Sequence, residues 1–255
     1  MSDGTTHLLP PEPKVSAGRR YLRTAIDLIA RLQLGEWPQL ERAAALVADA
    51  LAAGGTVHTF GSGHSHMLAE EAFYRAGGLV HVRPILFEGL MLHTSAPLST
   101  LLERLPGLAT ALLDDHSVTH GDALIIASNS GSNAVITEMA VRARERGLRT
   151  IAITSLGHAK SEASREQAGR RLHELVDVAI DNGGVVGDAA IDVESVPMRV
   201  APTSTVVGAA IVNAIVAEAV ERLARRGIVA DVLTSSNVAG GDAQNERFRE
   251  AVMRR

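Results

Sequence analysis

Residues 56–78, TVHTFGSGHSHMLAEEAFYRAGG, put glycines, hydroxyl groups, histidines and two adjacent glutamates into one short stretch. A short apolar run leads into Gly61, Ser62 and Gly63, and Glu70 and Glu71 follow in a predicted helix. Glycines let the backbone turn tightly and approach a ligand, and hydroxyl groups bind one without adding charge. A positioned carboxylate or imidazole can move a proton. The stretch therefore predicts a binding site with acid–base groups beside it, although a tight turn alone is the simpler alternative.

A second polar loop, SNSGSN, lies between a buried strand, residues 122–127, and a helix expected from about residue 134 to 146. Free N–H groups and the helix dipole favour an anion at such a helix N-terminus. One serine or asparagine would be enough to cap the helix, but this loop offers five. The loop therefore predicts a phosphate site formed by Ser128, Asn129, Ser130, Gly131, Ser132 and Asn133.

Composition and missing motifs exclude several other classes of protein. A formal net charge of −4 argues against a broad nucleic-acid-binding face, and the absence of cysteine rules out disulfides and thiolate chemistry. Neither a P-loop nor a complete dinucleotide fingerprint occurs, which disfavours a nucleotide-binding domain. His64 and His66 alternate in a turn without an acidic partner at ligand spacing, so we expect no metal and no cofactor.

The sequence also predicts a cytoplasmic protein without a membrane partner. Its first residues show no basic-then-apolar signal pattern. The longest apolar candidate, Val206 to Val220, contains Asn213 and Glu218 and is better interpreted as a buried helix than as a membrane span.

The order of the predicted elements indicates an α/β protein. Two helices precede the first strand, and strands then alternate with turns and helices, which predicts a parallel sheet covered on both faces. Strands are expected at residues 56–60, 79–82, 122–127, 149–154 and 175–180. We divide the chain into a flexible N-terminus (1–13), a helical extension (14–55), a binding core (56–228) and a C-terminal tail that closes over a site (229–255).

The polar loops follow the strands at the edge where such sheets bind their ligands. The sequences FGSGHSHMLAEE and IIASNSGSNAVI resemble the first loop and the phosphate loop, S-x-S-G-x-[ST], of the SIS (sugar isomerase) domain. The resemblance spans roughly residues 35–228 and extends to single-domain bacterial SIS proteins, which share FGSGHSHMLAEE and SSNVAGGDAQN. Phosphoheptose isomerase and N-acetylmuramic acid 6-phosphate etherase are more distantly similar. The resemblance implies a three-layer αβα sandwich around a five-stranded parallel, flavodoxin-like sheet, a sugar-phosphate ligand, and a homodimer or homotetramer.

Individual residues match the family's motifs to different degrees. Ser128, Ser130 and Gly131 match the phosphate loop, whose last hydroxyl position falls on Asn133, with Ser132 beside it. Further residues that the resemblance or the strand ends place near the ligand are Ser62, Ser65, Thr154, Ser155, Ser204 and Thr205. Glu70 and Glu71 resemble the family's acidic pair but lie about one helical turn closer to the glycines than in phosphoheptose isomerase. Their catalytic role therefore stays open.

The expected chemistry begins with removal of the C2 proton of an open-chain sugar phosphate. The resulting enediolate can give a ketose, an epimer or, after loss of the C3 oxygen, an unsaturated sugar. The candidate acids and bases are His64, His66, Glu70, Glu71, Glu88 and His93. Glu70 and Glu71 could instead have only a structural role, since carboxylates near a helix N-terminus interact favourably with the helix dipole. Glu88 interrupts an apolar run, and burying a carboxylate is costly unless it is paired or has a function.

The polar tail SSNVAGGDAQNERF predicts sugar contacts at Asn237, Asp242 and Asn245, in this subunit or a neighbouring one, with a loose tail as the alternative. Residues 181–189 are expected at the rim. We therefore expect an enzyme acting on an (amino)hexose 6-phosphate by elimination or isomerisation. Similarity to the etherase favours N-acetylglucosamine 6-phosphate. A non-catalytic phosphosugar sensor or regulator is the alternative.

Overall fold

A computed structural model of the chain describes residues 15–161 and 169–253. It begins with α1 (Ala17–Arg31) and α2 (Trp37–Ala52), which are joined by a π-helical turn, Leu32–Glu36. The two helices agree with the sequence prediction, but the apolar pattern gives no signal for the wide turn between them. The expected flexible N-terminus, residues 1–13, lies outside the described residues.

The core alternates strands and helices. Its strands are β1 (Val57–Gly61), β2 (Val82–Ile85), β3 (Ala123–Ala127), β4 (Arg149–Thr154) and β5 (Val178–Asp181). The helices between them are α3 (His66–Ala72), α4 (Leu92–Leu102), α5 (Leu108–Asp115), α6 (Ala134–Glu145), α7 (Leu156–Ala159) and α8 (Leu172–Leu175). A small hairpin, β6 (Ala189–Ile191) and β7 (Val200–Pro202), precedes α9 (Ser204–Arg225), and the tail forms α10 (Gly241–Glu246) and α11 (Arg249–Met253).

The five core strands form one parallel sheet in the order β2-β1-β3-β4-β5, which confirms the predicted fold class. Alternate residues of β3 face opposite helical layers. Ile125 packs with side chains of α2, α3 and α9, whereas Leu124 and Ile126 pack with those of α5 and α6. Because both faces are covered, β1 and β3 are buried along their whole length, and the central strand β3 is a continuous apolar run.

The structure corrects two strand boundaries and adds a hairpin. β2 begins at Val82 rather than Leu79, because Leu79 and Val80 pair in antiparallel fashion with residues 231–232 of the tail. β5 begins at Val178 rather than Leu175, which ends α8. The hairpin β6–β7 was not predicted, since its exposed, proline-containing sequence lacks a strand pattern. None of the helices in the described ranges is long and apolar enough to cross a lipid bilayer.

A buried carboxylate ties the amino ends of β1 and β3 together. Asp122 accepts hydrogen bonds from the backbone N–H groups of Thr56 and Thr119, both at 2.8 Å, and from the Thr119 hydroxyl at 2.9 Å. His58 Nε2 lies 3.2 Å from the same carboxylate, and both side chains are buried. Burial would raise the pKa of Asp122, but these hydrogen bonds lower it overall. Burial lowers the pKa of His58, although Asp122 opposes that shift.

We predict that the buried histidine makes the fold sensitive to mild acid. Unfolded His58 binds a proton below its ordinary pKa of 6.5, whereas folded His58 resists protonation, so the free energy of unfolding falls as the pH drops through that range. The slope from one such group is at most about 1.4 kcal/mol per pH unit. Urea unfolding between neutral pH and mild acid measures it.

The variant His58→Gln is expected to reduce this slope. Some slope should remain, because burial also lowers the pKa of His158 and His173. His81→Gln is the matched control, since His81 forms a similar but exposed pair with Asp231 at 3.1 Å. An unchanged slope in His58→Gln would contradict the assignment.

Candidate functional site

The first polar loop turns sharply after β1. A Cβ atom at Gly61 would lie 2.4 Å from the carbonyl oxygen of Ser65, so only glycine allows the chain to fold back here. A 3-10 turn, Gly63–Ser65, then leads into α3. The hydroxyl of Ser62, which is almost fully buried, donates a hydrogen bond of 2.9 Å to Glu103 Oε2.

Glu103 connects the first loop with the serine loop, residues 128–133. It follows the last residue of α4, and its backbone oxygen accepts a hydrogen bond of 3.1 Å from Val135 N in the first turn of α6. In the described parts of the chain, Glu103 is the one carboxylate that bonds a serine of either loop. Sequence reasoning missed it, because nothing in its sequence neighbourhood separates this glutamate from a solvated one.

The serine loop presents hydrogen-bond donors at the N-terminus of α6. Ser128 Oγ accepts a hydrogen bond of 3.1 Å from Gly131 N, which closes the turn, and Ser132 Oγ donates to Ser130 Oγ at 3.3 Å. Asn133 forms no side-chain cap. The backbone N–H groups of Ser130, Ser132 and Asn133 find no acceptor in the described part of the chain. Such free donors at a helix N-terminus suit an anion.

Three strand ends and the start of α9 enclose a small polar cavity of about 10 Å³, roughly enough space for one water molecule. Its polar lining residues are Ser65, Ser128, Asn129, Asn182, Ser204 and Thr205. Asn182, which lies in the segment 181–189 expected at the rim but was not singled out from the sequence, is buried and donates a hydrogen bond of 2.9 Å to Asn129 Oδ1. Asn129 Nδ2 is buried without a partner in the described residues, so this amide is a free donor.

Thr154 and Ser155, at the end of β4, hold neighbouring loops rather than lying open. Thr154 Oγ1 donates to the Asn129 carbonyl at 3.4 Å. Ser155 Oγ donates to the Gly184 carbonyl at 2.5 Å and accepts from His158 N at 3.0 Å. Burial lowers the pKa of His158, although nearby Asp188 opposes the shift. These side chains therefore fix the loop after β5 against the end of β4.

Asp188, in the segment 181–189 that the sequence analysis expected at the rim, caps α9. Its carboxylate accepts hydrogen bonds from Thr203 N at 3.2 Å, Ser204 N at 2.9 Å and the Ser204 hydroxyl. The predicted anion-binding hydroxyl of Ser204 is therefore engaged within the chain, and Thr205 beside it lines the small cavity. The φ angle of Asp188 is +66°, a conformation that aspartate tolerates better than most residues.

Three of the six predicted acid–base residues lie close together. His66 Nε2 lies 3.7 Å from Glu70 Oε1, and the rings of His66 and His93 are 6.2 Å apart, so these three side chains share one rim of the first loop. Glu71 is directed elsewhere: it pairs with Arg75 and accepts a hydrogen bond of 2.8 Å from Asn213 on α9.

The remaining two candidates, His64 and Glu88, are exposed. Glu88 opens a 3-10 turn that follows the carboxyl end of β2. Within the described ranges, no group of three or more histidine, aspartate or glutamate side chains is arranged to hold a metal ion.

The tail packs at the amino end of β2, at the opposite end of the sheet from the serine loop. Leu233 N bonds the carbonyl of Gly78 at 2.9 Å, and Gly77 N bonds the carbonyl of Leu233 at 2.8 Å. The side chain of Asn245 bonds both backbone groups of Thr234. Asp242 and Asn237 are exposed. The three predicted sugar contacts are therefore not brought to the serine loop of their own chain.

We predict that Asp188 stabilises the start of α9. Asp188→Ala removes the acceptor for three donors and should lower the free energy of unfolding by about 1–2 kcal/mol. Asp188→Asn should cost less, because asparagine keeps an acceptor and tolerates a positive φ. Urea unfolding measures both losses. Asp192→Ala is the control, since Asp192 is exposed and paired with Arg199. Equal losses at the two positions would contradict the capping role.

Comparison with known proteins agrees with this architecture. The SIS domain family model matches residues 20–155. A UPF0309 protein of Geobacillus thermodenitrificans is 46% identical over 84% of this chain and 86% of its own length. One from Listeria innocua is 41% identical over 89% of this chain and 92% of its own length.

The solved structure of a phosphoheptose isomerase from Francisella tularensis superposes with a TM-score of 0.54. It is 14% identical, and the match covers 79% of this chain and 95% of that one. At this identity the likeness extends to the fold alone. Together with the family model and the UPF0309 relatives, it leads to one conclusion: the chain belongs to the SIS domain family and groups with the UPF0309 proteins.

Proposed function

We propose that the chain binds the phosphate group of a sugar phosphate in the serine loop. The observation that carries this proposal is the set of free backbone N–H groups at Ser130, Ser132 and Asn133, at the start of the 12-residue helix α6. Hydroxyl groups of the same loop add donors without adding charge. A dianionic phosphate satisfies these donors and gains from the helix dipole.

The proposed substrate is a hexose or aminohexose 6-phosphate, with N-acetylglucosamine 6-phosphate as the first candidate. With its phosphate in the serine loop, the sugar extends toward the first loop. Glu103 is hydrogen-bonded to Ser62 of that loop, and Glu70 and His93 lie at the rim of the same loop. One of these groups removes the proton from C2 and leaves an enediolate. Two solved proteins with a similar fold are phosphoheptose isomerases, which supports a sugar phosphate as the class of substrate.

The enediolate can react in two ways. Reprotonation at C1 gives a ketose, which is isomerisation. Loss of the C3 oxygen gives an unsaturated sugar and needs a second, acidic group beside C3. The neighbouring rings of His66 and His93 favour elimination slightly, because a protonated imidazole can supply that acid.

A non-catalytic phosphosugar sensor is the second candidate function. It is favoured by the exposure of Glu70, whose side chain is 52% exposed, and of Glu88. A catalytic base is usually held by neighbours in a protected site, whereas the phosphate donors here are already arranged. A sensor needs these phosphate donors but no catalytic base.

We further propose that two copies of the chain associate through α1. One face of this helix carries Leu22 and Ile26, which are 62% and 65% exposed. Arg23 and Asp27 flank this stripe and form no ion pair within the described residues. When two α1 helices cross in antiparallel fashion about a two-fold axis, Arg23 of each copy meets Asp27 of the other. Tyr21 bonds the Pro202 carbonyl at 3.0 Å, so the same helix supports the segment entering α9.

The function is tested by incubating the protein with hexose and hexosamine 6-phosphates in deuterated water and following each by proton NMR. The enzyme proposal predicts deuterium at C2, with a ketose or an unsaturated product. Ser130→Ala should weaken binding of sugar phosphate by roughly tenfold, the effect of losing one hydrogen bond to a charged group. Glu145→Ala on the exposed face of α6 is the control.

Glu103→Gln separates the candidate functions. If Glu103 is the base, this variant should lose exchange while it still binds the sugar phosphate. Binding without exchange across the panel in the wild-type protein would overturn catalysis on these substrates and favour the sensor. No binding of any sugar phosphate would contradict the proposed function itself.

The association through α1 predicts a dimer in analytical ultracentrifugation. Arg23→Asp should weaken the dimer, and adding Asp27→Arg to that variant should restore it, because the charges are then exchanged on both helices. Val229→Asp, at a position that is 91% exposed, is the control. A monomeric wild-type protein, or a double variant no stronger than Arg23→Asp, would contradict the interface.

A further inference from the structure

A separate cavity of about 490 Å³ lies between the end of α3 and the C-terminal tail. Phe73 and Tyr74 form one wall, and Asp242, Asn245, Glu246 and Arg249 contribute to the other. The volume falls in the range of small-molecule sites. Because the tail packs at the amino end of β2, this cavity is distinct from the serine loop.

The tail wall is held in place by its own hydrogen bonds. Asn245 Oδ1 accepts from Thr234 N at 3.0 Å, and Asn245 Nδ2 donates to the Thr234 carbonyl at 2.8 Å. Leu233 in turn pairs with Gly77 and Gly78, shortly after Tyr74. Both walls are thus fixed to one another through the backbone, so the cavity is a defined feature of the fold.

The aromatic wall combines an unusual backbone conformation with an exposed ring at Tyr74. Tyr74 has a φ angle of +42°, which bulky residues rarely adopt, and its side chain is 56% exposed. The rings of Phe73 and Tyr74 are 6.0 Å apart. Strained backbone of this kind often occurs where a side chain is directed toward a ligand.

The charges of the tail wall are unevenly compensated. Arg249 pairs with Glu246 at 3.1 Å. Asp242 has neither a hydrogen bond nor an ion pair to its carboxylate in the parts of the chain that the structure describes. One carboxylate without a counter-charge therefore shares a cavity with two aromatic rings. Aromatic faces attract organic cations, and a carboxylate adds a charged hydrogen bond to an ammonium group.

We propose that this cavity binds a protonated amine on a small hydroxyl-bearing body, the chemical class of a free hexosamine. The ammonium group pairs with Asp242, the ring body packs against Tyr74, and Ser236 and Arg249 face the hydroxyl groups. Binding at this cavity does not depend on the phosphate site of the proposed function.

The test titrates the wild-type protein with glucosamine, N-acetylglucosamine and glucose at neutral pH, followed by saturation-transfer NMR. Glucosamine is expected to bind, and the two neutral sugars to bind at least tenfold more weakly. Asp242→Asn, which keeps the shape of the side chain, should weaken glucosamine binding roughly tenfold. Tyr74→Asn should also weaken it, because asparagine accepts the positive φ angle but removes the ring.

Two controls separate this site from the proposed phosphate site. Asp192→Asn, at an exposed position on the segment after β6, should leave glucosamine binding unchanged. Ser130→Ala should leave it unchanged as well, even where binding of sugar phosphates is reduced. The proposal is overturned if glucosamine does not bind at millimolar concentration, if glucose binds equally well, or if folded Asp242→Asn binds glucosamine as the wild type does.

Discussion

The parallel alignment of five strands is the constraint on which the rest of the structure depends. Since all five end at one edge of the sheet, the loops that follow them meet there, and each has to satisfy its polar groups. Most of these loops do so within the chain: Ser155 bonds Gly184, Asp188 caps α9, and Asn182 bonds Asn129. Within the described residues, the serine loop keeps backbone and amide donors free at the start of the 12-residue helix α6, and this arrangement supports our proposal of a phosphate site there.

The opposite edge of the sheet has a structural role. Asp122 satisfies backbone donors of the segments that enter β1 and β3, and Asp177 does the same for Thr150 at the start of β4. Here the carboxylates complete hydrogen bonding that the sheet leaves open, and the strands are held in register at their amino ends. The carboxyl-end loops can then keep free donors without loss of the fold, because the sheet that carries them is fixed elsewhere.

Much of the fold was predictable because buried strands and amphipathic helices leave periodic patterns. DALIIA and RTIAIT are rich in alanine, leucine and isoleucine, and the structure has β3 and β4 at these positions. The serine loop was predictable because its composition exceeds what a helix cap needs. Tertiary contacts could not be predicted from the sequence. The tail pairs with residues 77–80, so β2 begins later than expected, and no local pattern encodes that pairing. The contact of Glu103 with Ser62 and the capping role of Asp188 were not predictable for the same reason, since their partners are distant in sequence.

The most direct test of the account follows the backbone N–H groups of the serine loop by heteronuclear NMR in the labelled protein. Addition of glucose 6-phosphate or N-acetylglucosamine 6-phosphate is predicted to move the resonances of Ser130, Ser132 and Asn133 most, with little change on adding the unphosphorylated sugars. Saturable shifts confined to other parts of the chain, or equal shifts with and without the phosphate group, would contradict the claim that this loop binds the phosphate.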